Sequence, residues 1–209
     1  MQRWVTVLIT ALCVLLAGCA TTFQSQVTAF HEWPGDLQEK TFVFERPKDL
    51  EDNLEYRSYE NLVRGELLRL GFVEASRGVA PRLKVSMSYS INGRDVRVVQ
   101  PVVVDPWYGY PSYGPFYGSR WNRYGLYDPF WYGPPMVEQR ETRYSLFTRQ
   151  LKIAIARTLD SKRLYEVTVF SEGTNGSLAA LMPYMVRSAF IDFPGKSGVP
   201  RRIELKMKD

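Results

Sequence analysis

From residue 83 to 91 apolar and polar residues alternate without a break. Leu83, Val85, Met87, Tyr89 and Ile91 stand against Lys84, Ser86, Ser88 and Ser90. A two-residue period puts every apolar side chain on one face of a β-strand. A chain with such a strand must build a sheet with one dry face and bury that face against something else. Asn92-Gly93 follows at once, and this pair predicts a two-residue hairpin turn because both of its positions need positive φ. The return strand is expected over 94–104, with Pro101 marking an edge or a bulge.

Alternation resumes over 138–155, with Phe147, Leu151, Ile153 and Ile155 on one side. Asp160-Ser161-Lys162 reads as a turn and 164–170 as the partner strand. Shorter strand patterns lie at 41–45 and 202–207. Two segments have helical spacing instead. In 54–70, Tyr59, Leu62, Val63, Leu67 and Leu70 share a face. Glu51, Asp52 and Glu55 sit at its dipole-favoured start, and Gly71 provides a stop. After the turn-forming cluster 173–176, Leu178, Leu181, Met182, Met185, Ala189 and Phe190 share a face, with Ser177 as N-cap. Pro183 predicts a kink there, or a helix that starts only near Met182. The expected fold is α+β: a two-layer sandwich with a mostly antiparallel sheet, two helices on one face and a long insert between strands.

That insert, 105–135, carries Trp107, Tyr108, Tyr110, Tyr113, Phe116, Tyr117, Trp121, Tyr124, Tyr127, Phe130, Trp131 and Tyr132 among repeated Gly and Pro. Twelve aromatics in 31 residues would ordinarily mean core, but Gly and Pro at this density exclude a regular helix or strand. Loops of this length are usually functional or disordered. Arg120 and Arg123 lie among the rings, where guanidinium stacking is available. Three readings stand open: a sugar-stacking surface, a protein contact rich in hot-spot residues, and a low-complexity loop that binds nothing in particular. The candidate binding residues are Trp107, Tyr108, Tyr110, Tyr113, Arg120, Trp121, Arg123, Tyr124, Trp131 and Tyr132, and a homotypic contact falls within the second reading.

The N-terminus adds a different constraint. Arg3 precedes an apolar run from Val5 to Leu16, and Leu16-Ala17-Gly18-Cys19 closes it. A basic flank, a short apolar region and a small-residue cleavage site read as a removed signal peptide. The run is too short for a membrane-spanning helix, which needs about 20 apolar residues. A cysteine just after the site predicts lipid modification, since a thiol can form the thioether to diacylglycerol while the freed amine takes another acyl chain. Multiple acyl chains make the attachment stable where one would be marginal. The expected organisation is signal peptide 1–18, a lipid-anchored tether 19–26, and a single domain 27–209. Ala20 in place of Asp favours sorting to the outer membrane, periplasm-facing, in a Gram-negative host, with the inner membrane as the alternative.

Cys13 leaves with the leader and Cys19 is consumed by lipid, so the mature chain holds no free thiol or disulfide. A mature chain of 191 residues can bury a core without such staples. Its charge is 26 basic against 22 acidic residues, or +4. An exported, anchored protein does not ordinarily meet nucleic acid, so anionic head groups or cell-wall carboxylates are the expected counter-charges. Catalysis lacks partners. His31 is the only histidine, no dinucleotide or phosphate loop is present, and neither metal nor cofactor is expected. Glu138 and Glu141 form a carboxylate pair of the glycosidase type, but Arg140 and Arg143 beside them favour solvated ion pairs.

The stretches Leu164-Tyr165-Glu166-Val167, Met182-Pro183-Tyr184 and Asp192-Phe193-Pro194-Gly195, behind a lipobox and around an aromatic insert, resemble the domain-of-unknown-function 4136 family of envelope lipoproteins. The resemblance covers roughly 27–208 and implies an α+β fold and an envelope location. It implies no activity and transfers no functional residue beyond Cys19. Its motifs read as packing and turn signatures. The expected role is non-catalytic binding or structure in the envelope, through contact of the insert with a partner protein. A peptidoglycan-binding module is the alternative and an envelope hydrolase the distant one.

Overall fold

The computed structural model describes residues 21–34, 40–76, 78–104 and 136–207. Seven strands form one sheet: β1 (Thr22–His31), β2 (Thr41–Phe44), β3 (Val73–Glu74), β4 (Leu83–Val104), β5 (Met136–Arg157), β6 (Arg163–Gly173) and β7 (Arg201–Lys206). Their spatial order is β3-β2-β4-β5-β6-β1-β7. The described helices are α1 (Leu54–Arg69) and α2 (Leu178–Phe190), with a 3-10 turn at Lys48–Leu50.

The expected two-layer sandwich with a mostly antiparallel sheet is corrected by this topology. The sheet is mixed and dominates the fold. β1 runs antiparallel to β6 and β7, and β5 antiparallel to β6. β2, however, is parallel to both β3 and β4. Parallel neighbours need a long crossover rather than a tight turn, and α1 supplies it between β2 and the strands after it. The expected Asn92-Gly93 hairpin is also absent, because β4 runs through it from Leu83 to Val104. Gly93 has another use: a Cβ there would lie 3.0 Å from the Phe147 ring. Its missing side chain makes room for that ring.

Strand β1 is the second departure. Residues 19–26 read as a tether, yet Thr22 already belongs to β1. Its inward residues are Phe23, Ser25, Val27 and Ala29, and two of these four are too small or polar to show an apolar period. Burial comes from the neighbours: Ser25 and Ala29 are buried between β6 and β7.

The chain divides into two compact units, one made of residues 1–94 and 146–209 and the other of 95–145. The first holds the core. Phe42, Leu83, Val85, Leu151, Ile153, Ile155, Val167 and Val169 from the sheet cluster with Val63 and Leu67 of α1 and Met182 and Met185 of α2. Each such side chain contributes about 1.5–3 kcal/mol on full burial. α1 begins at Asn53, whose Oδ1 accepts from Tyr56 N at 2.9 Å, and ends where Gly71 takes φ +81°. α2 starts at the expected Ser177 cap and runs through Pro183. The cap and a face of buried Leu181, Met182, Met185, Val186, Ala189 and Phe190 outweigh the one backbone bond that proline removes.

In the second unit Glu141 is held by two guanidiniums, Arg143 at 2.6 Å and Arg97. Ser145 Oγ donates to Asp95 Oδ1 at 2.9 Å.

Candidate functional site

The strand parity that sends apolar residues into the core turns their neighbours to the opposite side of the sheet. In the first unit that side is open. Gln24 and Gln26 of β1, Lys152 of β5, and Phe170 and Glu172 of β6 are exposed there. Register fixes two rows. Gln150, Phe170, Gln26 and Arg202 lie side by side across β5, β6, β1 and β7, and Thr148 pairs with Glu172 in the next row. Gln24, Gln26, Thr148, Phe170, Glu172 and Arg202 line an open groove of about 700 Å³.

Its polar groups are already oriented. Thr148 Oγ1 donates to Glu172 Oε1 at 2.9 Å, and Arg94 lies 3.5 Å from the same carboxylate. The Arg202 guanidinium donates to Gln24 Oε1 and sits 3.3 Å from Glu204. Phe170 is the exception, a ring left 43% exposed among amides and charges. A ring face flanked by amides and a held carboxylate offers stacking and hydrogen bonds to a planar or ring-shaped polar ligand. Among the described residues no group of His, Cys, Asp and Glu is placed to hold a metal ion.

Two buried charges lie elsewhere in this unit, and both have structural partners. Glu60 of α1, 1% exposed, accepts from Arg46 and from Arg64. Burial pushes its carboxyl up, but the hydrogen bonds and charge of Arg46, reinforced by Arg64, hold it below the usual carboxylate range. Arg149 of β5 is also 1% exposed and has no carboxylate partner among the described residues. Its guanidinium donates to Ser171 Oγ and to the Gly173 and Asn175 carbonyls. Burial lowers its pKa. It fastens the loop that leads into α2.

The residues singled out by sequence are distributed unevenly. Cys19 lies outside the described residues, and so do Trp107, Tyr108, Tyr110, Tyr113, Arg120, Trp121, Arg123, Tyr124, Trp131 and Tyr132. His31 donates from its backbone to Ser197 Oγ at 3.1 Å, and its Nε2 sits 3.0 Å from the Gly195 carbonyl. That arrangement ties β1 to the loop after α2. Phe193, read as part of a turn, is a packing anchor whose ring meets Trp33, Phe72, Tyr165 and Phe190. Sequence reasoning missed the open face of β1, β5, β6 and β7. The signal for it was Phe170, an aromatic out of phase with Val167 and Val169.

No curated protein matches this sequence. Among solved structures, the chain is similar to a PDZ domain protein from Parabacteroides distasonis ATCC 8503, at 14% identity and a TM-score of 0.46. The similarity covers 89% of this chain and 40% of that one. The family described as Domain of unknown function (DUF4136) matches residues 26–195, more than half of the 209 residues. With most of β1, all of α2 and the Phe193 anchor inside the matched span, the chain belongs to the DUF4136 family.

Proposed function

We propose that this chain is a lipid-anchored protein of the bacterial envelope with a non-catalytic binding or structural role. Leu16-Ala17-Gly18-Cys19 supports the anchor, and Ala20 supports an outer-membrane, periplasm-facing location. The observation that carries the binding role is the open sheet face, where Phe170 stands exposed between Gln150 and Gln26. Aromatic residues are enriched in binding hot spots. The aromatic insert 105–135 supports a partner protein as the ligand, through its Trp, Tyr and Arg content. Deleting 105–135 tests this: the expected outcome is an exported, folded chain that loses its crosslinked partner. Retention of every partner contradicts the insert as the contact.

A second reading, glycan binding, is favoured by the groove itself. Amides from Gln24 and Gln26, the held Glu172 carboxylate and the Phe170 ring match the needs of a sugar, whose hydroxyls take hydrogen bonds and whose ring stacks. Sedimentation with purified cell-wall sacculi checks it, and Phe170→Ala is expected to release the chain into the supernatant. The hydrolase reading is disfavoured at Glu141, whose carboxylate is engaged by Arg97 and Arg143.

A further inference from the structure

Strand β7 is one edge of the sheet, with β1 as its strand neighbour. Met207 N donates to Thr21 O at 2.9 Å, so these two residues form a hydrogen-bonded pair. In an antiparallel ladder such pairs alternate with non-bonded ones. The register Phe23–Leu205, Ser25–Ile203 and Val27–Arg201 therefore turns the backbone groups of Arg201, Ile203 and Leu205 toward β1. Those of Arg202, Glu204 and Lys206 point away from it, as a row of donors and acceptors open to another strand. Among the described residues the other edge is β3, only Val73–Glu74, too short for a ladder.

Charged side chains on an edge ordinarily keep strands apart. Here Arg202, Glu204 and Lys206 are all exposed on one face, and their signs alternate. Two copies of the same edge meet antiparallel, with one residue on the two-fold axis. The charges choose that residue, because like charges directly opposite destabilise a strand pair and opposite charges support it. With Glu204 on the axis, Glu204 faces itself and Arg202 faces Lys206. With Arg202 there, Arg202 faces itself. With Leu205 there, Glu204 meets Lys206 but Arg202 falls beyond the end of the partner's strand. With Ile203 on the axis, Arg202 faces the partner's Glu204 and Glu204 faces the partner's Arg202. The outward backbone groups of these residues then meet as well.

We propose that a second copy of this chain pairs with β7 in this register, about a two-fold axis at Ile203. The core-facing side of the edge supplies apolar surface for the contact. Ile203 and Leu205 are half-buried there. Ile191 and Val199, 48% and 47% exposed, line one small cavity together with Ile203. On the opposite side the pairing joins the grooves of the two copies. Phe170, Gln26 and Arg202 share a row, and that row runs on into the partner's Glu204 and the Gln24 beside it. The binding face becomes two-fold, with one Phe170 on each side of the axis. This pairing does not depend on lipid at Cys19.

A strand pair is a small interface, so association is expected at about micromolar concentration. Sedimentation equilibrium of the full chain in density-matched detergent measures it. Arg202→Glu and Glu204→Arg each set like charges opposite one another at two places, and each is expected to weaken association about tenfold. The double variant restores opposite charges and is expected to associate like the wild type. Both side chains are exposed, so melting temperatures should stay near the wild-type value. Ile203→Cys puts a thiol on the axis and is expected to give a disulfide-linked dimer above the wild-type background, whereas Glu204→Cys and Leu205→Cys give none. A chain that stays monomeric overturns the proposal. So do single variants that associate as tightly as the wild type, a double variant as weak as the singles, or equal crosslinking at 203, 204 and 205.

Discussion

Arg46 grips Glu60 with two nitrogens at once, Nε donating to Oε2 at 2.6 Å and Nη2 to Oε1 at 2.7 Å. Arg64, one helical turn on, donates to Oε1 at 2.8 Å. The Arg64 guanidinium also lies 5.1 Å from the centre of the Phe44 ring. This buried carboxylate ties α1 to the chain just beyond β2, the strand on which the parallel part of the sheet depends. Removing one partner of a buried pair costs about 3–5 kcal/mol. The Arg46 side chain is 35% exposed, so water relieves part of that loss.

Glu60→Gln is therefore expected to lower stability by about 3 kcal/mol, the lower end of that range. The sign of the pH effect follows from the lowered carboxyl. Its stabilising contribution is complete above the unfolded carboxylate's ordinary value and is lost as pH falls through the folded one. Urea melts of wild type and variant between pH 7 and pH 3 check this. The gap should narrow on acidification, and a constant gap contradicts the ion-pair explanation.

Gly93 and Gly176 hold the Phe147 ring between them, each 3.0 Å from it when a Cβ is added. The ring cannot yield to one side without meeting the other. Gly93→Ala is expected to destabilise by about 1–3 kcal/mol through overpacking. Adding Phe147→Leu should recover part of that loss, which a double-mutant cycle by thermal unfolding measures. Additive effects contradict the sandwiched ring.

Both described helices are N-capped by a side chain, α1 by Asn53 and α2 by Ser177. Asn53→Ala, which removes the 2.9 Å acceptor for Tyr56 N, is expected to cost about 1 kcal/mol. Asn53→Asp should retain most of the stability, since it keeps the acceptor. Denaturant midpoints separate these outcomes.

Phe170→Ala is expected to leave the melting temperature nearly unchanged, because the ring lies on the open face. If that ring is buried on binding, its loss removes about 1.5–3 kcal/mol, or roughly tenfold or more in affinity. Co-sedimentation with sacculi and crosslinked-partner yield are the readouts. A large loss of stability contradicts the placement of Phe170 as a surface residue.

Strong local patterns were legible in the sequence. The Leu83–Tyr89 alternation, the α1 and α2 faces, the Ser177 cap and the Gly71 stop all appear where the residue spacing put them. Non-local pairing was not. Gly93 reads as a turn residue until Phe147, more than fifty positions away, is seen to occupy the space above it. Strand β1 hides because Ser25 and Ala29 are buried by β6 and β7 rather than by their own hydrophobicity. The parallel pairing of β2 depends on the crossover through α1, which no local period encodes. The open face was likewise hidden, since its rows join Gln150, Phe170, Gln26 and Arg202 from four strands.

Intact mass spectrometry of the chain extracted from bacterial membranes decides whether Cys19 is its anchor. The expected species lacks residues 1–18 and carries a diacylglyceryl group and a further acyl chain on Cys19, and Cys19→Ala abolishes both the processing and the added mass. A membrane-extracted chain that retains residues 1–18, or starts at an unmodified Cys19, contradicts lipid anchoring.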